Sequence, residues 1–198
     1  MRIRFLVRLI GSCFLSFGVF FSQQSVLFSE EILRLEVEGQ AKGVIEIEFF
    51  SELAPNHVER IKLLTKEKRY DGVTFHRVID GFMAQTGDVK FGNISNFETD
   101  LVGMGSSEYP MLSEEFSDYP FTQGVVGMAR ASDPDSANSQ FFIMLQSAPH
   151  LDGKYTVVGR VLRGLETLLK IKKGNRGSNG SVENPDFIKV AVLVDETL

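Results

Sequence analysis

Tryptophan is absent from this chain, and cysteine and histidine are scarce. The one cysteine, Cys13, lies near the N-terminus. The rest of the chain can therefore form no internal disulfide and no zinc site built on thiolates, and the redox compartment stays open. The three histidines, His57, His76 and His150, are scattered without ligand spacing, so neither a metal nor another cofactor is expected. Positive charge is short as well: 21 Lys and Arg stand against 26 Asp and Glu, a net charge of -5. Arg2, Arg4 and Arg8 are the only charges before Glu30, so the remainder carries -8. That balance argues against a nucleic-acid partner. Internal repeats, low-complexity tracts and linkers are also missing, which leaves one domain.

What is present begins with a basic and then apolar N-terminal segment. Arg2, Arg4 and Arg8 precede a 13-residue apolar run, Leu9 to Phe21. That run is shorter than the ~20 residues of an ordinary transmembrane helix, and the pattern fits a secretory signal over residues 1–29. Cleavage is expected between Ser22 and Ser29, and export to the periplasm or medium would follow. An uncleaved membrane anchor is the alternative, and lipidation at Cys13 is disfavoured by the short apolar stretch before it.

Residues 30–198 read as the folded domain. Leu33, Leu35 and Val37 alternate with charged residues, as do Ile45, Ile47 and Phe49, so both runs are half-buried strands joined through residues 39–43. Pro55 followed by Val58, Ile61 and Leu64 marks a helix. Phe75 to Ile79 and Phe82 to Gln85 read as a hairpin around a two-residue Asp80-Gly81 link. Residues 89–123 are long, polar and rich in Gly and Ser. Gly103 and Gly105 form a lone G-x-G there, weak as a phosphate signal without a strand-to-helix context, so this stretch is read as surface loops shaping part of a groove. Strands recur around Val125 to Ala129, Gln140 to Met144, Thr156 to Val161 and Phe187 to Val194. A second helix is expected over Gly164 to Ile171. Many short strands and two helices suggest a mainly β fold, a closed antiparallel barrel with a helix at each end.

The hairpin sets a fixed cation, Arg77, beside Phe82, Met83 and Gln85. A planar donor fork near an apolar floor suits a greasy substrate that carries an amide. Three blocks then share one family's order and spacing: FHRVIDGFMAQTGD from Phe75, GVVGMARASDPDSANSQFFIML from Gly124 and LDGKYTVVGRV from Leu151. Together they resemble the cyclophilins, peptidyl-prolyl cis-trans isomerases, and the likeness covers roughly Leu33 to Val194. It implies an eight-stranded barrel and proline-containing polypeptides as substrates. It also implies Arg77 as the donor to the proline nitrogen, and Gln85 as a partner of the substrate backbone or of Arg77. Phe82, Met83, Phe142 and Leu151 would form the proline pocket, with Tyr155 as a wall. Ala129 would line the groove, the backbone of Arg130 would pair with peptide, and Gln140 would support the pocket. His76 is read as a packed structural residue.

Two positions depart from the best-known eukaryotic members. His150 stands where they have Trp, and Tyr155 where they have His. The Trp position is associated with cyclosporin, so weak cyclosporin binding is expected. The HLDGKYTV form is similar to that of bacterial cyclophilins, which implies a bacterial, exported enzyme, expected to be monomeric. The alternatives are a module that holds proline peptides without catalysis, and a barrel that carries a small apolar ligand. The second would need an open interior, whereas the inward positions here are bulky.

Overall fold

The computed structural model describes residues 31–97 and 99–195. The expected signal segment lies outside them. Among the described residues no helix is long and apolar enough to cross a membrane.

Eight strands form a single antiparallel sheet: β1 (Glu31–Glu38), β2 (Gly43–Phe49), β3 (Arg77–Ile79), β4 (Met83–Thr86), β5 (Val125–Met128), β6 (Phe141–Met144), β7 (Val157–Arg163) and β8 (Phe187–Asp195). Their spatial order is β3-β4-β6-β5-β7-β2-β1-β8. Two helices, α1 (Pro55–Lys66) and α2 (Leu165–Lys170), accompany it. Pro55 occupies the first helical turn of α1, where its missing N–H has no intrahelical partner to lose. Val58, Ile61 and Leu64 follow at helical spacing and are all buried, so one stripe of α1 closes the core. α1 packs against β8 and α2 against β2. Period-2 alternation along β1 and β2 turns Leu33, Leu35, Ile45 and Ile47 inward, where they meet Phe75, Met128, Phe141, Ile143 and Val158. These bulky side chains fill the interior and leave it unlike a ligand-carrying barrel.

The strands and helices expected from the sequence are present, but the barrel is not closed. The end strands β3 and β8 form no ladder with each other, and the sheet is a curled half-barrel. The cause lies at the free edge of β3. Residues 174–182 run along that edge, with Val78 N–H donating to the Gly180 carbonyl and Gly174 N–H to the Val78 carbonyl. On the side away from β1, strand β8 and the residue before it reach only the segment that precedes β3, where the Gly72 and Phe75 N–H groups donate to the Ile188 and Asp186 carbonyls. A loop thus takes the place that a closing strand would need.

The hairpin link is also one residue longer than expected. Ile79 pairs with Met83, so the connection is Asp80, Gly81 and Phe82. Gly81 has φ +73°, the left-handed conformation that glycine adopts without Cβ strain, and Phe82 N–H donates to the Ile79 carbonyl at 3.0 Å. Phe82 therefore sits in a turn and leans over the outside of the sheet.

Candidate active site

Register places side chains singled out in the sequence in a row. Arg77 on β3 pairs with Gln85 on β4, Gln85 with Phe142 on β6, and Phe142 with Gly127 on β5. Residues directly opposite one another share a face, so Arg77, Gln85 and Phe142 all point outward, away from the filled interior. Met83 is two residues before Gln85 and shares that face. Their neighbours Val78, Ala84, Phe141 and Ile143 point inward.

The outward row is apolar at its base. Met83, Phe121, Phe142, Met144, Leu151 and Val157 form a second buried cluster on the outer surface of the sheet. Phe142 stacks on Phe121 at 5.7 Å and meets the Tyr155 ring edge-on at 5.8 Å. Gly127 makes this possible: a Cβ there would stand 2.6 Å from the rings of both Phe121 and Phe142. Leu151 is presented by a short 3-10 turn, Pro149–Leu151. The Phe82 ring closes the far side, 5.7 Å from the exposed ring of His150.

Over this floor a cavity of about 170 Å³ is lined by Arg77, Phe82, Met83, Gln85, Ala129, Arg130, Phe142, Leu151 and Tyr155. The structure thus brings nine of the ten sequence-derived residues around one cavity. Gln140, the tenth, precedes β6 and lines a neighbouring cavity of about 410 Å³ that shares Gln85, Ala129 and Arg130.

Arg77 is the group around which polar contacts converge. Its Nη1 donates to Gln85 Oε1 at 3.0 Å. Its Nε donates to the Asn179 carbonyl at 3.0 Å and its Nη2 to Asn179 Oδ1 at 3.1 Å. Burial pushes the guanidinium pKa down, and the nearby Tyr155 opposes that shift. Arginine keeps its charge in any protein setting, so a half-buried, geometrically fixed cation faces the cavity.

Asn179 was not anticipated from the sequence. It arrives 102 residues after Arg77, on the loop that fills the edge of β3. Its backbone is left-handed, φ 52°, which turns carbonyl and side chain toward the same guanidinium. The Asn179-Gly180 dipeptide is the one sequence signal for such a turn.

Arg130 works differently. Its guanidinium lies 4.5 Å over the Tyr155 ring. Its Nη1 donates to the Ala131 and Ser132 carbonyls and its Nη2 to the Lys154 carbonyl. It braces the Tyr155 wall through that stacking contact. His76 is buried with neither ring nitrogen hydrogen-bonded, and burial lowers its pKa to about 4. It is neutral at pH 7 and packs beneath the loop at Gly103.

The ensemble contains no paired carboxylates and no nucleophile beside a base, and among the described residues no acidic or His cluster could hold a metal ion. What it offers is one immobilised donor fork above an apolar floor. Residues 32–192 match the family model for cyclophilin type peptidyl-prolyl cis-trans isomerase/CLD. The chain belongs to the cyclophilin family of peptidyl-prolyl cis-trans isomerases. A "Probable peptidyl-prolyl cis-trans isomerase" of Brucella abortus is 54% identical over 156 residues, spanning 78% of this chain and 80% of that protein. The "Peptidyl-prolyl cis-trans isomerase-like 3" of Gallus gallus is 42% identical over 135 residues, 66% of this chain and 77% of the other. Among solved structures, a cyclophilin of Hirschia baltica aligns with a TM-score of 0.67 at 28% identity, covering 83% of this cyclophilin and 74% of that one. A Cryptosporidium parvum cyclophilin-type isomerase, crystallised in the presence of the dipeptide Ala-Pro, aligns with a TM-score of 0.69 at 26% identity over 83% and 99% of the two chains.

Proposed function

We propose that this cyclophilin accelerates cis-trans isomerisation of X-Pro bonds in unfolded or newly exported polypeptides, with Arg77 as the catalytic donor. The observation that carries the reading is the outward row Arg77, Gln85 and Phe142, with the guanidinium fixed on two sides above an aromatic floor. Rotation about an X-Pro bond needs no proton transfer. Its barrier of ~20 kcal/mol comes from amide resonance. Twisting the bond returns the lone pair to the proline nitrogen, and a donor aimed there favours the twisted state over either planar one. The floor of Phe82, Met83, Phe142 and Leu151 holds the ring while the acyl side rotates. Excluding water there strengthens the field of Arg77. Lowering the barrier by ~6 kcal/mol corresponds to roughly four powers of ten in rate. Gln85 holds Arg77, Ala129 and the backbone of Arg130 line the peptide path, Gln140 supports Gln85, and Tyr155 walls the ring.

Export rests on the basic and apolar segment over residues 1–29, and a periplasmic role in folding would follow from it. His150 is solvent-exposed beside Phe82 and supplies less apolar area than an indole, which supports weak cyclosporin binding. The chain acts as a monomer in this reading. The test is prolyl exchange in an Ala-Pro-Phe peptide, followed by NMR with wild type and Arg77→Ala side by side. Acceleration by wild type, largely lost in a folded Arg77→Ala protein, supports the reading. A folded wild type without acceleration leaves a module that holds proline peptides.

A further inference from the structure

The G-x-G of residues 103–105 wraps an anion after all, and the anion is the chain's own. Asp88 follows β4 and its side chain is fully buried. Its Oδ1 accepts from the backbone N–H groups of Lys90 and Phe91, at 3.1 and 2.9 Å. Its Oδ2 accepts from the N–H groups of Gly103 and Gly105, at 2.7 and 3.0 Å. Gly103 has φ +93°, and a Cβ on Gly105 would collide with the Asp88 carboxylate. Both glycines are therefore needed for the backbone to close on this charge.

The other side of the same loop faces the active site. Gln140 Nε2 donates to the Gly103 and Gly105 carbonyls, at 3.0 and 2.8 Å. That fixes which end of the Gln140 amide points where: its Oε1 must face Gln85. Gln85 Nε2 donates to that oxygen at 3.0 Å, which turns Gln85 Oε1 toward Arg77 Nη1, also at 3.0 Å. An amide has one acceptor end and one donor end, so each link dictates the next. If the loop withdrew, Gln140 could flip, and Gln85 could present its NH2 to the guanidinium, donor against donor.

We propose that Asp88 is a positioning residue for Arg77. Its carboxylate fixes residues 103–105, and through Gln140 and Gln85 it presents an acceptor to the guanidinium. The kinetic consequence rests on the isomerase reading above; the orientation of the side chains does not.

The experiment uses the full chain and three variants: Asp88→Asn, Gly105→Ala and Gln140→Ala. Asn cannot accept from both pairs of N–H groups, and Gly105→Ala pushes the loop off an intact carboxylate. Two signals are read: kcat and KM on an Ala-Pro peptide, and the NMR resonances of the Arg77 Nε–H and Gln85 side-chain amide. Asp88→Asn and Gly105→Ala are each expected to lower kcat by roughly tenfold while KM stays within about twofold, and to move both resonances. Adding Asp88→Asn to Gln140→Ala should cost no further activity, because the link is already cut. A loss that is as large in the Gln140→Ala background as in wild type overturns the proposal, since Asp88 then acts by general packing. Unmoved Arg77 and Gln85 resonances in folded Asp88→Asn overturn it too. Should Asp88→Asn not fold, Gly105→Ala decides by the same criteria. An inactive wild type sinks the isomerase reading alone, and the resonances still judge the relay.

Discussion

The two halves of this sheet share one interior and differ on the outside. On β1, β2 and the far end of β7 most outward positions are charged and paired, with Val190 and Val192 of β8 beside them. Arg34 and Arg163 both reach Glu46, at 3.3 and 2.9 Å, Arg160 pairs with Glu48, and Lys189 lies between Glu36 and Glu38. On β3, β4 and β6 the outward positions are Arg77, Met83, Gln85, Phe142 and Met144, and loops cover most of them. Charged, mutually paired side chains make a surface that needs water. Apolar side chains facing outward need cover, and where the cover is incomplete a cavity remains. The half-barrel carries its candidate site where outward apolar side chains gather into a covered cluster that leaves a cavity, because there the outer face has binding energy to give.

The largest expected effect tests that contrast at its centre. Arg77→Ala should lower kcat/KM for an Ala-Pro peptide by at least about a hundredfold, the scale of losing one preorganised donor in a dry site. Its thermal unfolding should change little, because the side chain is half-exposed. A fall below threefold would mean that the cation does not act on the bond.

Adjacent residues on β6 sharpen the contrast further. Ile143 faces the interior and Phe142 the outer cluster. Ile143→Ala should destabilise the fold by about 3 kcal/mol and leave the folded fraction with normal KM. Phe142→Ala should raise KM by roughly tenfold as well as destabilise. Equal KM values for the two variants would erase the distinction between the faces.

How much of this was legible in the sequence depends on how local each signal is. The row of Arg77, Gln85 and Phe142 rests on period-2 alternation within short strands, and the two motif blocks carried it. The hairpin was legible as a turn, but its length was not, since Asp-Gly serves both two- and three-residue links and the Ile79–Met83 register decides between them. Closure of the barrel was misread for a non-local reason. Whether β8 reaches β3 depends on what occupies the edge of β3, and that is a loop far downstream in the chain. The same loop delivers Asn179, so the missed residue and the misread closure have one cause. The buried carboxylate of Asp88 was hidden likewise, because its Gly103 and Gly105 partners lie 15 and 17 residues away in a stretch without periodicity.

Acid should expose a cost that falls in part on the site half. Burial holds the His76 pKa at about 4 against an ordinary 6.5, with the Asp88 charge opposing the shift in part. The unfolded chain therefore binds a proton that the folded chain refuses between those values. Stability is full above pH 6.5 and falls as pH drops toward 4, by up to about 3 kcal/mol from this residue. Burial lowers the His57 pKa as well, against the pull of Glu115, which adds in the same direction. Chemical denaturation at pH 7 and at pH 4.5 should show the loss, and His76→Phe should reduce it. An unchanged pH dependence in that variant would assign the effect elsewhere.

Asn179 offers a finer cut. Asn179→Gly keeps the left-handed backbone and the carbonyl that Arg77 Nε reaches, and removes only the Oδ1 acceptor of Nη2. A loss of roughly threefold to tenfold in kcat with KM unchanged is expected, since one of three anchors is removed. No change in kcat would mean that the carbonyl and Gln85 hold the guanidinium unaided.

The smallest effect belongs to the other half. Glu46 accepts from Arg34 and Arg163 on the outer surface, and both arginines are about half exposed, at 48% and 56%. Exposed pairs contribute at most ~1 kcal/mol, because water screens them and two long side chains must be held still. Glu46→Gln should therefore cost about 0.5 kcal/mol or less in denaturant unfolding, the cost shrinking as salt is added, and leave kcat/KM on the Ala-Pro peptide unaltered. A measurable change in turnover would couple the two halves through the shared interior, where Ile47 and Leu33 behind this pair meet Phe141 and Ile143 behind the site. No change would mean that the outer faces are independent surfaces on one core.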